Sequence, residues 1–285
     1  MTLITAVAAL GGLSFVLSAV LVVANRRLFV FEDPRIDAVE ELLPLANCGA
    51  CGVPGCRPFA EALVKGEASP ASCTVSDAQG HKAIADLLQV DVGSAVKRVA
   101  RLACAGGANV ARDKATYKGL QSCAAAALAG GGKACSWGCL GLADCQVACD
   151  FGAIHMDPQG LPVVDAERCT ACGDCVTACP KDLFSVLPAQ HRLFVACRSQ
   201  LAGDEMLQDC AVGCNACGRC AMDAPELVRM VGNLPVVDTT RPPREDPIRR
   251  CPTGAIVWLD AEAGPIRGPA AKKIVRKGPL PAAPS

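Results

Sequence analysis

Twenty cysteines in a chain of 285 residues are the side chains with most chemistry to offer, and their spacing is patterned. The most specific run is Cys169-x2-Cys172-x2-Cys175-x3-Cys179-Pro180. In such a run three thiolates grip one [4Fe–4S] cube, and the fourth cysteine, set before proline, reaches a neighbouring cube. Twenty residues earlier, Cys135-x3-Cys139-x5-Cys145-x3-Cys149 is a stretched version, followed by the apolar stretch Phe151-Gly152-Ala153-Ile154. Two such runs predict crossed ligation: one cube on Cys135, Cys139, Cys145 and Cys179, the other on Cys169, Cys172, Cys175 and Cys149.

Two further groups flank this pair. Cys48-x2-Cys51-x4-Cys56-x16-Cys73 sits in a glycine-rich stretch, where backbone N–H groups can point at the sulfurs. Four such thiolates suit a cube or a structural zinc ion, although zinc sites more often repeat the C-x2-C pair. Leu63–Ala71 reads as an apolar-faced helix returning Cys73 to the site. Downstream, Cys214-x2-Cys217-x2-Cys220 starts another ferredoxin-type run, but Ala224 stands where its fourth cysteine belongs. Leu234-Pro235-Val236-Val237-Asp238 repeats Leu161-Pro162-Val163-Val164-Asp165, and Cys251-Pro252 then falls 13 residues past the aspartate, against 14 from Asp165 to Cys179. This copy is expected to keep one cube, on Cys214, Cys217, Cys220 and Cys251, and to have lost the other. The total is four clusters, or three if that last set is empty. Cys104, Cys123, Cys197 and Cys210 are left over and are expected to be buried free thiols, the commoner fate of spare cysteines. Cys104 and Cys197 each end a strand-like run ahead of a cysteine module.

The elements that must position these groups follow from the rest of the chain. Aromatic residues make up only 4% of it, so large aromatic cores are not available and metal or covalent links must help. Residues 2–24 carry no charge, enough to span a hydrocarbon layer of roughly 30 Å. Arg26 and Arg27 follow this run, which places everything after it in the reducing cytoplasm and favours metal thiolates over disulfides. The expected fold is α+β: a transmembrane anchor (1–27), a small four-cysteine Fe–S domain (32–91), a connecting segment (92–134), a two-cluster ferredoxin-like domain (135–188), a degenerate one-cluster copy (189–260) and a disordered tail (261–285). Gly130-Gly131-Gly132-Lys133 lacks the remaining signature of a phosphate loop and reads as a flexible connection. Three scattered histidines (His81, His155, His191) argue against acid–base catalysis, and a net charge of zero gives no nucleic-acid surface.

A single N-terminal span, the Cys48–Cys73 module, the Cys104–Cys123 segment, and Cys135-Ser136-Trp137-Gly138-Cys139-Leu140-Gly141 entering a two-cluster ferredoxin together resemble the RnfB family of the Rnf ion-translocating complex, over roughly residues 1–190. The resemblance implies an electron-transfer subunit in a bacterial inner membrane, with its cysteine domains on the cytoplasmic side. It further implies partner subunits, a soluble ferredoxin or similar redox donor, and coupling of ferredoxin/NAD electron transfer to sodium or proton transport. The one-cluster copy and the basic, Pro/Ala-rich tail depart from many family members. A cluster subunit of another membrane oxidoreductase, such as a hydrogenase or formate dehydrogenase, and a zinc-binding assembly protein are the alternatives.

Overall fold

The computed structural model describes residues 2–28, 32–260 and 263–274. Thr2–Leu28 forms α1, whose 27 residues rise about 40 Å at about 1.5 Å each. Its stretch Leu10–Leu28 is long and apolar enough to cross a membrane, and none of it is buried by the rest of the chain.

The next unit is a small helical layer of α2 (Arg35–Leu42), α3 (Cys56–Val64) and α4 (Ala78–Leu88) around Ile36, Val39, Phe59, Leu63 and Ile84. Arg57 reaches back from α3 to Asp37 and Glu40 of α2, and the Asp77 carboxylate caps α4 by accepting from Gly80 N. The helix expected at 63–71 lies earlier. It starts at Cys56, because Asn47 Oδ1 satisfies the Cys56 N–H at 2.8 Å, and it stops where Gly66 takes a positive φ of 74°.

Two units of like element order follow. The first runs β1 (Arg98–Leu102), α5 (Cys123–Leu128), α6 (Asp144–Val147), β2 (Ile154–Met156), β3 (Pro162–Val164), α7 (Asp174–Ala178) and β4 (Phe184–Pro188). The second runs β5 (Leu193–Val195), α8 (Gly203–Asp209), α9 (Arg219–Asp223), β6 (Val228–Val231), β7 (Leu234–Val237), α10 (Asp246–Arg249) and β8 (Ile256–Asp260). In each, two central strands form an antiparallel hairpin, β2 with β3 and β6 with β7, and the first and last strands pair antiparallel, β1 with β4 and β5 with β8. The repeated Leu-Pro-Val-Val-Asp supplies the second hairpin strand both times, and its aspartate turns the chain by accepting from Glu167 N after β3 and from Thr240 N after β7. The cores are built of valine, leucine, isoleucine and the cysteines themselves.

The units are joined by the stretch after β1. Ala105 N donates to Ala196 O at 3.0 Å, Arg112 N to Asp209 O at 2.9 Å and Ala211 N to Val110 O at 2.9 Å, with an isolated bridge between Ala111 and Cys210. The glycine run at 130–132, expected to be a loose connection, is tied down instead. Gly132 O accepts from Lys114 N, Lys133 pairs with Asp113 across an isolated bridge, and the Lys133 ammonium donates to Gly106 O. Part of the expected disordered tail is ordered as β9 (Gly264–Arg267), which pairs antiparallel with β8 and sets Arg267 opposite Val257 and Ile266 opposite Trp258. Residues 275–285 of that tail lie outside the described residues.

Candidate metal centres

Cys48, Cys51, Cys56 and Cys73 line one cavity between the Asn47–Gly55 loop and α3, closed by Phe59 and Pro44. The loop wraps so tightly because Asn47, Gly49, Gly52 and Gly55 all take positive φ. The Ser76 hydroxyl donates to Cys73 Sγ at 3.2 Å. Burial pushes the Cys51 thiol up from its ordinary value.

A second cavity is lined by Cys149, Cys169, Cys172 and Cys175. Cys149 arrives from the end of α6 and Cys175 from α7, so the two short helices exchange one cysteine across their contact. Ala100 N donates to Cys169 Sγ at 3.4 Å and Ala153 N to Cys149 Sγ at 3.3 Å. Burial, then the neighbouring thiolates of Cys169 and Cys172, pushes Cys175 up to about 12.

In the second unit Cys214, Cys220 and Cys251 are buried in one core cluster with Leu193, Leu227 and Ile248. Burial pushes Cys214 up to about 12 and Cys220 up to about 11, and Cys251 and Cys217 are among the charges that Cys220 feels. The stretch from Val237 to Arg250 folds back through α10, which brings Cys251 to the three earlier cysteines.

The remaining set differs from the spacing-based grouping. Cys145 is pushed up to about 11 by burial and then by Cys123 and Cys179, not by Cys135. Cys135 instead lines a third cavity with Cys104, Cys197 and Cys210. The reason is tertiary. Ala134 N donates to Arg112 O at 2.9 Å, which draws Cys135 toward the strand-like stretch 111–113 and its bridge to Cys210, and the longer Cys135–Cys139 spacing accommodates the detour. The cysteines left over by spacing are thus each beside other cysteines. Their signal in the sequence was the matched placement of Cys104 and Cys197 at the ends of β1 and β5.

Whether these pockets suit an anionic cube can be tested on the buried cations. Arg101 Nε and Arg267 Nη1 are buried without a protein partner, Arg101 beside Cys169 and Arg267 beside Cys210 and Cys251. Burial pulls both guanidinium pKa values down, a cost that a thiolate-held cluster would offset as counter-charge. Among the described residues no three His, Cys, Asp or Glu converge closely enough for a single ion.

The cysteine-lined cavities and their backbone N–H donors define an iron–sulfur protein with sites for multiple [4Fe–4S] clusters. The FeS family, an Fe–S cluster domain, matches residues 43–75, and a 4Fe-4S binding domain family matches residues 161–185. Over 206 residues the chain is 39% identical to the B-subunit of a Na(+)-translocating ferredoxin:NAD(+) oxidoreductase complex of Acetobacterium woodii, covering 72% of this chain and 62% of that protein. It is 38% identical over 224 residues to the B-subunit of an ion-translocating oxidoreductase complex of Methanosarcina acetivorans, covering 78% and 85% of the two chains. It is 36% identical over 250 residues to the B-subunit of a proton-translocating ferredoxin:NAD(+) oxidoreductase complex of Clostridium ljungdahlii, covering 86% and 88%. The chain belongs to the RnfB family of the Rnf ion-translocating oxidoreductase complexes.

Proposed function

We propose that this chain is the iron–sulfur electron-transfer subunit of a membrane-bound translocase that couples electron flow between a soluble ferredoxin and NAD to ion transport, assembled with the other subunits of that complex. The similarity to RnfB proteins over most of the chain carries this reading. When bound, the clusters supply one-electron chemistry. The chain's residues hold them apart, exclude water and set their potentials through N–H···S bonds, burial and the buried arginines.

In this reading α1 is the membrane anchor, residues 32–91 form the four-cysteine domain, and the two like units are tandem ferredoxin-like domains, 135–188 and 189–260, the first drawing its leading strand β1 from the connecting segment before it. Ligands among the cysteines predicted from spacing are Cys48, Cys51, Cys56 and Cys73; Cys149, Cys169, Cys172 and Cys175; Cys139, Cys145 and Cys179; and Cys214, Cys217, Cys220 and Cys251. Arg26 and Arg27 at the end of α1 favour a cytoplasmic location for all of them.

The test is electron delivery to the anaerobically purified full-length chain, followed by electron paramagnetic resonance. A brown protein whose broad visible absorption bleaches when reduced ferredoxin is added, with reduced-cluster signals appearing, is the expected result. A colourless zinc-loaded protein would overturn the assignment. A reporter fused after Ser285 should be active in the cytoplasm, and activity on the far side would reverse the orientation.

A further inference from the structure

The four cysteines that spacing leaves over are all placed beside other cysteines, and three of them meet Cys135 in the third cavity. It is lined by Cys104 and Cys135 from the first unit and Cys197 and Cys210 from the second, so each unit contributes two thiols. Its volume, about 20 Å³, equals that of the Cys48–Cys73 and Cys149–Cys175 cavities. Gly106 lies against it, where an added Cβ would stand 3.3 Å from Cys210 Sγ and 3.6 Å from Cys104 Sγ, so these two sulfurs flank a backbone kept bare. Backbone N–H groups point at its sulfurs: Gly106 N and Cys139 N at Cys104 Sγ, both at 3.4 Å, and Cys214 N at Cys197 Sγ at 3.3 Å. Trp137, Met206 and Val212 close it against water, and the Lys133 ammonium and Arg267 supply positive charge nearby.

Loss of Cys135 from the Cys139, Cys145 and Cys179 group leaves that group one ligand short, and Cys123 stands ready to complete it. Cys123 opens α5 and Cys145 lies in the first turn of α6. The Asp144 carboxylate ties the two helix starts together by accepting from Ser122 Oγ at 2.9 Å and Ala124 N at 3.0 Å.

We propose that all twenty cysteines are ligands, in five sets of four, with Cys104, Cys135, Cys197 and Cys210 holding a [4Fe–4S] cluster that staples the two ferredoxin-like units together and Cys123 serving as fourth ligand beside Cys139, Cys145 and Cys179. The staple rests on the electron-carrier reading above and deepens it, because it joins the sites into a single file. The Thr74 hydroxyl donates to Thr170 O at 2.6 Å between the first set and the Cys149–Cys175 set. The contact of α6 with α7 links that set to Cys145 and Cys179. Cys139 N meets Cys104, and Cys214 N meets Cys197. Without the staple, the Cys214–Cys251 site would be cut off from the other three.

Iron and acid-labile sulfide are counted per chain in the anaerobically reconstituted full-length protein, alongside Cys197→Ser, Cys210→Ser and Gly106→Val. Five cubes predict about twenty irons in the parent chain, against about sixteen for four cubes. Each of the two serine variants should lose about four irons and one reduced-cluster signal. Gly106→Val keeps every thiol but fills the cradle, and it should lose the same signal while circular dichroism reports an unchanged fold. Reduction of the Cys214–Cys251 cluster in rapid-freeze experiments should slow at least tenfold in all three. About sixteen irons in the parent, or an unchanged iron count in both serine variants, refutes the staple while leaving the electron-carrier reading intact. An iron-free parent chain sinks both.

Discussion

Replacing Arg267 with glutamine removes a positive charge whose Nη1 is buried without a protein partner and which lies beside Cys210 and Cys251. A cube held by four thiolates is anionic and gains a further negative charge on reduction, so a nearby guanidinium favours the reduced form. Two unit charges about 10 Å apart, in a medium of effective dielectric about 20, interact by about 1.7 kcal/mol. For a one-electron couple, in which about 59 mV corresponds to a tenfold change, that is about 70 mV. Arg267 borders two cysteine sets, so the midpoint potentials of both should fall by about 50–100 mV in Arg267→Gln and largely recover in Arg267→Lys. A redox titration followed by electron paramagnetic resonance reads both. Potentials that stay within about 20 mV of the parent, or that rise, would refute the assignment of this arginine as a counter-charge to bound clusters.

Cys149→Ser should disturb the signal of the cluster on Cys169, Cys172 and Cys175, and an effect confined to the Cys139/Cys145/Cys179 cluster would refute crossed ligation. Asp144→Ala removes the acceptor of two bonds that hold α5 against α6, and should cost about 1–2 kcal/mol by chemical denaturation and loosen the iron bound near Cys123, whereas unchanged stability and iron retention would refute the clamp. Burial holds the metal-free Cys139 and Cys145 thiols up at about 12 and about 11, so each must release a proton to bind iron. Protons therefore compete with iron, and lowering the pH should speed iron loss to a chelator by about tenfold per unit for each thiolate reprotonated. Because burial penalises the ionised thiols, the metal-free fold should also lose stability as pH rises from about 8.5, where unfolded thiols ionise, through about 11 and about 12, where Cys145 and Cys139 ionise in the fold. A flat pH dependence in either assay counts against buried, mutually repelling thiols.

Much of the architecture was legible because it rests on short-range chemistry. The run from Cys169 to Cys179, the Leu-Pro-Val-Val-Asp repeat and the uncharged stretch before Arg26 each declare a local structure through spacing alone, and α7, the two hairpins and α1 lie where those signals fall. The destination of Cys135 was not legible. It depends on Ala134 bonding to Arg112 and on Ala111 meeting Cys210, contacts between residues far apart in the chain that no period records. Cys104 and Cys197 come together for the same reason, through Ala105 N and Ala196 O. The start of α3 was misplaced because its N-terminal N–H is satisfied by Asn47, nine residues upstream, and not by an adjacent cap.

The pairing of β1 with β4 also constrains the order of events at birth. Arg98 lies opposite Pro188, so the first unit cannot close until the ribosome has released residues well past Cys179. Until then the ten cysteines from Cys104 to Cys179 ride on an open chain, within reach of a cluster-delivering scaffold. Closure then buries Cys139, Cys145 and Cys175 to 8% exposure or less. Metal delivery to Cys139, Cys145 and Cys175 therefore has a window that shuts when β4 docks, whereas the set that Cys104 and Cys135 share with Cys197 and Cys210 can be completed only after the second unit has been made.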